Sequence, residues 1–166
     1  MIQYSQFDSV IGKITLSAIP EGICHIALPG DNLTNSFNWC KKNLHSNEFV
    51  RSSEWTAQAE LEIQQFLSGK LQRFSFSTFH INTQFRKKVL EEVAKIPYGN
   101  TASYSDIAHR INKPKASRAV GTANATNPLP LVIPCHRVIS KNGSLGGFGG
   151  GLKMKQLLLN LELQNS

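Results

Sequence analysis

Residues 103–126, SYSDIAHRINKPKASRAVGTANAT, read as two helices joined by a tight turn. Ser103 with Asp106 three residues later is a capping box: the hydroxyl caps an amide of the first turn, and the carboxylate answers from inside it. That helix runs to about Ile111. Asn112-Lys113 then turns the chain, and Pro114 suits the first position of a second helix, where no amide is lost. The second helix is rich in alanine and carries Lys115 and Arg118 three residues apart, on one face. Helix, short turn, basic helix is the pattern of a helix-turn-helix, although two-helix corners that bind nothing share it. Ala116, Ala119, Gly121 and Ala123 are small enough to let this backbone approach a minor groove, or to pack closely against another helix.

Upstream, residues 83–96 place Phe85, Val89, Leu90, Val93 and Ile96 at helical spacing, and Pro97-Tyr98-Gly99 ends the run. Downstream, Leu131-Val132-Ile133 is a short apolar strand stopped by Pro134. A last helix carries Leu157, Leu158, Leu159, Leu161 and Glu162. The first half differs in kind. Stretches 2–7, 12–19 and 22–28 are rich in β-branched and aromatic residues and read as strands, with Pro20-Glu21-Gly22 as a hairpin connection. Helical patterns follow over 33–44 and from Ser53 to Gly69. The alternating RFSFSTFHI (73–81) is a strand or an extended linker, and the domain boundary falls there. The expected fold class is α+β, with a strand-rich domain over 1–80 and a mainly helical domain over 81–166.

Charge divides at the same boundary. The net charge is +7, yet residues 1–80 hold 6 Lys+Arg against 7 Asp+Glu, while residues 81–166 hold 12 against 4. A basic half beside a neutral one suits a polyanion partner, most simply nucleic acid. With 40% hydrophobic and 17% charged residues the chain is globular in composition. No apolar stretch has transmembrane length, and the N-terminus lacks the basic and apolar regions of a secretory signal. A soluble cytoplasmic monomer is expected. Three widely spaced cysteines, Cys24, Cys40 and Cys135, argue against a disulfide framework. Cys24, His25, Cys40 and His45 do not have zinc-site spacing, so no metal is expected, and Cys24 and Cys40 read as small buried apolar residues.

The chemistry is concentrated in NPLPLVIPCHRVI (127–139). A thiol next to an imidazole and a guanidinium is either an inert cysteine beside polar residues or sits in an electropositive place that favours thiolate, the nucleophilic form. In a regular strand Cys135 and His136 would point to opposite faces, so direct contact requires a turn after Pro134, or a water between them. A third group must orient the imidazole. Acids are scarce in this half, and Glu162, set among leucines, is the candidate, with the exposed face of an ordinary helix as its alternative place.

PCHRV, with NP-x-P-x-x-I before it and a glycine-rich loop after it, resembles the O6-alkylguanine-DNA alkyltransferases. The resemblance spans about residues 83–162, including IPYG, SYSDIA, NKPKASRAVG and GGLKMKQLLLNLE. It implies a small ribonuclease-H-like N-terminal domain and a winged-helix-like C-terminal domain whose second helix enters the minor groove of double-stranded DNA. It implies direct repair without a cofactor: an alkyl group on O6 of guanine, with O4 of thymine a second candidate, moves irreversibly to Cys135. By the same resemblance His136 is the base, acting through a water, and Glu162 orients it. Asn127 braces the turn, and Tyr104 gives a proton to the flipped guanine. Arg118 fills the gap in the stack, and Lys115, Ala119 and Thr122 lie against DNA. Pro130 borders the alkyl pocket, and Val138 offers its carbonyl to the guanine amino group. Phe148 and Gly149 stand where many relatives carry Tyr and some carry Ser, which implies a wider, more mobile pocket.

Overall fold

Three strands form where β-branched and aromatic residues cluster between turn residues: Ile2–Ser9 (β1), Gly12–Ile19 (β2) and Gly22–Ala27 (β3). Each pairs antiparallel with the next. A fourth, Phe49–Arg51 (β4), joins β1 in parallel, giving the order β3-β2-β1-β4. At three residues β4 is too short to show a period, so the sequence does not reveal it. The chain reaches it through Leu33–Leu44 (α1), which opens where the Asn32 side chain accepts from the Asn35 amide (2.8 Å). Ala57–Leu67 (α2) starts later than the sequence suggests. Residues 53–56 form a turn instead, and buried Thr56 bonds its hydroxyl to Ser5 (2.7 Å). Cys24 and Cys40 are reduced and fully buried beside Ile2.

Residues 73–81 are not a regular strand. The Ile23 amide donates to Ser77 O (2.9 Å), and the Phe79 amide donates to Ile23 O (2.8 Å). The Glu62 carboxylate of α2 accepts from both the amide and the hydroxyl of Ser75. Two backbone bonds make a bridge, and the alternation RFSFSTFHI reflects this half-covered edge.

The computed structural model describes residues 1–166, which form two compact units, Met1–Ile81 and Asn82–Ser166. The second unit is built from Gln84–Ala94 (α3), Tyr104–Arg110 (α4), Ser117–Ala125 (α5) and Leu152–Asn165 (α6), with one short parallel pair, Ala102–Ser103 (β5) and Val138–Ile139 (β6). Val89, Val93, Ile107, Val120, Leu129 and Leu158 form its core. The capping box holds as expected: the Ser103 hydroxyl accepts from the Asp106 amide, and Asp106 accepts from the Ser103 amide. Together the two units make a mixed α and β protein, and no helix is long and apolar enough to cross a membrane.

Two expectations about this unit need correction. α5 begins at Ser117, not Pro114, because residues 113–116 close a turn through the Ala116 amide and Lys113 O (2.9 Å). Lys115 is therefore exposed in the turn and not on the helix. Residues 131–133 are not a strand. Leu131 has φ 74°, and Ile133 folds back onto Leu129 O (2.9 Å). Pro128, Pro130 and Pro134 withhold the amides that a ladder would need.

Gly22 has φ +143°, and an added Cβ would lie 2.5 Å from the Ser77 carbonyl oxygen. Gly22→Ala is expected to destabilise the N-terminal unit by about 1–3 kcal/mol through backbone strain and loss of the Ile23–Ser77 bridge. Thermal unfolding checks this, and an unchanged melting temperature would contradict it.

Candidate active site

After Pro134 the chain makes a single 3-10 turn over Cys135–Arg137, closed by the Arg137 amide to Pro134 O (2.9 Å). The strand geometry that would separate the thiol from the imidazole does not apply here. Two asparagines hold the turn, one in the last turn of α5 and one just past its end. Asn127 donates to Ile133 O (2.9 Å) and accepts from the Leu129 amide (3.0 Å), while Asn124 donates to Cys135 O (3.1 Å).

Behind the turn lies Glu162 of α6, 1% exposed. One oxygen accepts from His136 Nε2 at 2.7 Å. Arg137 Nε lies 2.9 and 3.0 Å from the two oxygens, and its Nη2 donates at 2.8 Å. The Gly99 amide donates to the second oxygen at 3.0 Å. Arg137 also donates to Ile96 O (2.7 Å) and lies over the Tyr98 ring. Burial by itself would raise the Glu162 pKa. Hydrogen bonds from His136 and Arg137 outweigh it and hold the carboxyl at about 2. An ionised carboxylate only accepts, so His136 carries its proton on Nε2. Nδ1 is then the basic atom of the ring.

The sulfur has a different environment from the one its sequence neighbours suggest. Arg137 is committed to Glu162, and the cation facing the thiol is Lys155 of α6. Cys135 is 5% exposed, and burial pushes its thiol up despite a hydrogen bond from Asn127 and the charge of Lys155. Burial also lowers His136, more than Glu162 raises it. Both shifts favour a neutral thiol beside a neutral imidazole at rest, rather than the thiolate expected from the sequence.

Lys155 is wholly buried, and burial lowers it to about 8. Its ammonium is held by the carbonyls of Val138, Leu145 and Gly147. The Tyr104 hydroxyl donates to the same Gly147 oxygen at 3.4 Å, and the ring is 5.9 Å from the ammonium. Burial raises the Tyr104 pKa, and the nearby thiol adds to this, so the phenol keeps its proton. Gly146 is needed for this approach, since a Cβ there would come within 2.7 Å of the Tyr104 hydroxyl.

The structure thus gathers Cys135, His136, Glu162, Asn127 and Tyr104 into one neighbourhood. Pro130 and Val138 are buried close by in sequence, Phe148 is half-buried and Gly149 exposed. The Val138 carbonyl, expected to face a ligand, accepts one bond from Lys155. Arg118, Ala119 and Thr122 are exposed on the outer face of α5. The small residues divide: Ala119 faces out, Ala123 is buried and Gly121 faces the Tyr104 ring. Sequence reasoning missed Arg137 as the clamp on Glu162, and missed Lys155 and Asn124 altogether. A lysine with arginine-free, leucine-rich surroundings in KMKQLLLNLE was the one available signal for Lys155. No group of three or more His, Cys, Asp or Glu side chains converges on a metal position.

The family model for the DNA-binding domain of 6-O-methylguanine DNA methyltransferase matches residues 84–164, which include every residue of the turn, the carboxylate hub and the lysine clamp. The inducible methylated-DNA–protein-cysteine methyltransferase of Bacillus subtilis is 42% identical over 146 residues, covering 88% of this chain and 82% of that protein. The chain belongs to the O6-methylguanine-DNA methyltransferase family. Among solved members of this methyltransferase family, the O6-methylguanine methyltransferase of Mycobacterium tuberculosis is 32% identical and superposes with a TM-score of 0.86, over 100% of this chain and 95% of that one. OGT of the same organism, solved in complex with DNA, is 31% identical with a TM-score of 0.86, over 99% and 94% of the two chains.

The Glu162 pKa is depressed from 4.5 to about 2, so its stabilisation is full above pH 4.5 and lost as pH falls towards 2. The shift corresponds to about 3 kcal/mol. His136, lowered in the fold, adds acid sensitivity of the same sign below its ordinary value of 6.5. Thermal melts of the wild type from pH 6 to 2.5 should fall steeply below pH 4.5. Glu162→Gln should melt lower at pH 6 but with a flatter acid limb. Parallel acid limbs would show that Glu162 does not carry this dependence.

Proposed function

We propose that this chain repairs DNA by taking an alkyl group from O6 of guanine onto Cys135 Sγ, once per molecule. The observation that carries the reading is the buried Cys135 followed in one turn by His136, whose Nε2 is fixed on the Glu162 carboxylate, inside a unit whose exposed helix face presents Arg118. The N-terminal unit reads as ribonuclease-H-like, supported by its β3-β2-β1-β4 order with the last strand parallel. The C-terminal unit reads as a winged-helix-like DNA-binding and alkyl-acceptor domain, supported by α4, the 111–116 connection and α5.

A base within a duplex is out of reach of a buried thiol, so the nucleotide must be flipped out at a cost in stacking. Arg118, exposed near the start of α5, fills the gap, while Ala119 and Thr122 lie against the groove. Lys115 in the turn meets phosphate, and binding weakens with salt. The Gly147 carbonyl, held by both Lys155 and Tyr104, belongs to the loop that must admit the base beside Pro130, Phe148 and Gly149.

The Cys135 proton is relayed to His136 Nδ1, and Glu162 stabilises the imidazolium that forms. Lys155 and Asn127 stabilise the sulfur anion. Sγ attacks the alkyl carbon, the carbon–O6 bond breaks, and the leaving guanine takes a proton from Tyr104. The proton held on His136 restores the phenol by way of solvent. The product is a thioether, which has no ready hydrolytic path, so each molecule acts once. No cofactor enters, because the carbon passes directly from oxygen to sulfur. A DNA-binding module without transfer would use the same helix pair and no thiol chemistry, and a cysteine hydrolase would use Cys135 and His136 without DNA.

Incubation with duplex DNA containing O6-methylguanine should add one methyl mass to the Cys135 peptide at one equivalent per protein. Cys135→Ser should bind the DNA with unchanged affinity and gain nothing. Binding without added mass on the wild type would favour the module, and catalytic turnover of an ester without DNA would favour the hydrolase. Arg118→Ala should slow repair of duplex DNA by roughly tenfold or more, with a much smaller effect on reaction with free O6-benzylguanine. Equal slowing on both substrates would remove the gap-filling role.

A further inference from the structure

Asn124, in the last turn of α5, and Asn127, two residues past its end, grip with their amides the two carbonyls that flank Pro134. Asn127 holds Ile133 O at 2.9 Å, and Asn124 holds Cys135 O at 3.1 Å. Proline donates no backbone bond, and each carbonyl takes one other amide, Ile133 O from Cys135 (2.7 Å) and Cys135 O from Val138, so the side chains add a second anchor to each. The Asn124 bond is made to the peptide of the thiol residue itself. Anchoring that carbonyl limits rotation about the Cys135 backbone, and so fixes where Sγ points relative to His136 and Lys155.

The other half of the Asn124 carboxamide is informative. Asn124 is 3% exposed, and its Oδ1 is buried with no hydrogen-bond partner. A buried acceptor without a partner carries an uncompensated desolvation penalty. Leucine has nearly the same shape and would fill the space without that penalty. The carboxamide therefore costs stability, and what it provides is its bond to Cys135. That bond starts from the buried face of the helix whose opposite face exposes Arg118, Ala119 and Thr122.

We propose that Asn124 is a positioning residue for Cys135: its amide aims the thiol and couples that aim to the seating of α5 on DNA. The proposal rests on the alkyl-acceptor reading above. It separates Asn124 from Asn127, which lowers the Cys135 pKa and closes its own turn at Leu129.

The test uses the full-length protein with Asn124→Leu and Asn124→Asp. Peptide mass mapping follows two rates at Cys135: methyl transfer from duplex O6-methylguanine DNA, and carbamidomethylation by iodoacetamide across pH. Melting temperature and DNA affinity are measured alongside. Asn124→Leu should melt at or above the wild-type temperature and bind DNA unchanged, yet transfer methyl ~10–100-fold more slowly, with a displaced iodoacetamide pH profile. Asn124→Asp turns an acceptor towards the Cys135 carbonyl and should be slower still. Its rate relative to wild type should climb as pH falls, because the protonated acid can again donate. Transfer by Asn124→Leu within twofold of the wild type, or a loss matched by a fall in melting temperature, would overturn the proposal. If the wild type gains no methyl from DNA while its iodoacetamide profile still responds to Asn124→Leu, the acceptor reading fails and the positioning role stands.

Discussion

The Glu162 carboxylate is the constraint on which the C-terminal unit depends. A buried charge is costly unless its lone pairs are taken, and here donors come from His136 and Arg137 of the turn and from the amide of Gly99. These groups lie 25 to 63 residues away along the chain. The bonds that let α6 bury its acid also anchor the side chains of the two residues after Cys135 and fix the tautomer of His136. Packing and site geometry are therefore one interaction. Loss of any partner would leave the others charged or unsatisfied in a place water does not reach.

The second consequence is electrostatic. Burial dominates both the thiol and the imidazole and keeps each neutral, while Lys155 and Asn127 offer charge and hydrogen bonding to a sulfur anion once it forms. A protonated thiol is a poor nucleophile towards stray electrophiles. For an acceptor proposed to act once, resting as a thiol and ionising by proton relay is a physically coherent arrangement. The ammonium of Lys155 has a further duty, since it ties the glycine-rich loop to β6 through three carbonyls. The loop, Tyr104 and the sulfur thus respond to one buried cation.

Local signals carried much of the architecture. The strands β1 to β3 were legible because they are rich in β-branched and aromatic residues and are separated by turn residues. α1, α3 and α4 were legible from spacing and caps, and the Ser103–Asp106 capping box appears as expected. The errors arose where local preference gave way. Pro114 opened a turn instead of a helix, prolines 128, 130 and 134 turned an apolar run away from strand pairing, and β4 was too short to leave a pattern.

The sequence by itself determined the two-part α and β organisation, the basic C-terminal half, and the Cys135-His136 and Glu162 candidates, because spacing, composition and motif order are local properties of the chain. Tertiary structure alone decided which charges meet. It gave Arg137 to Glu162 and not to the sulfur, brought Lys155 to the loop carbonyls, and set Asn124 on the peptide of Cys135. Those outcomes depend on which residues share a buried volume, where a missing hydrogen bond cannot be replaced by water, and no periodicity along the chain records that.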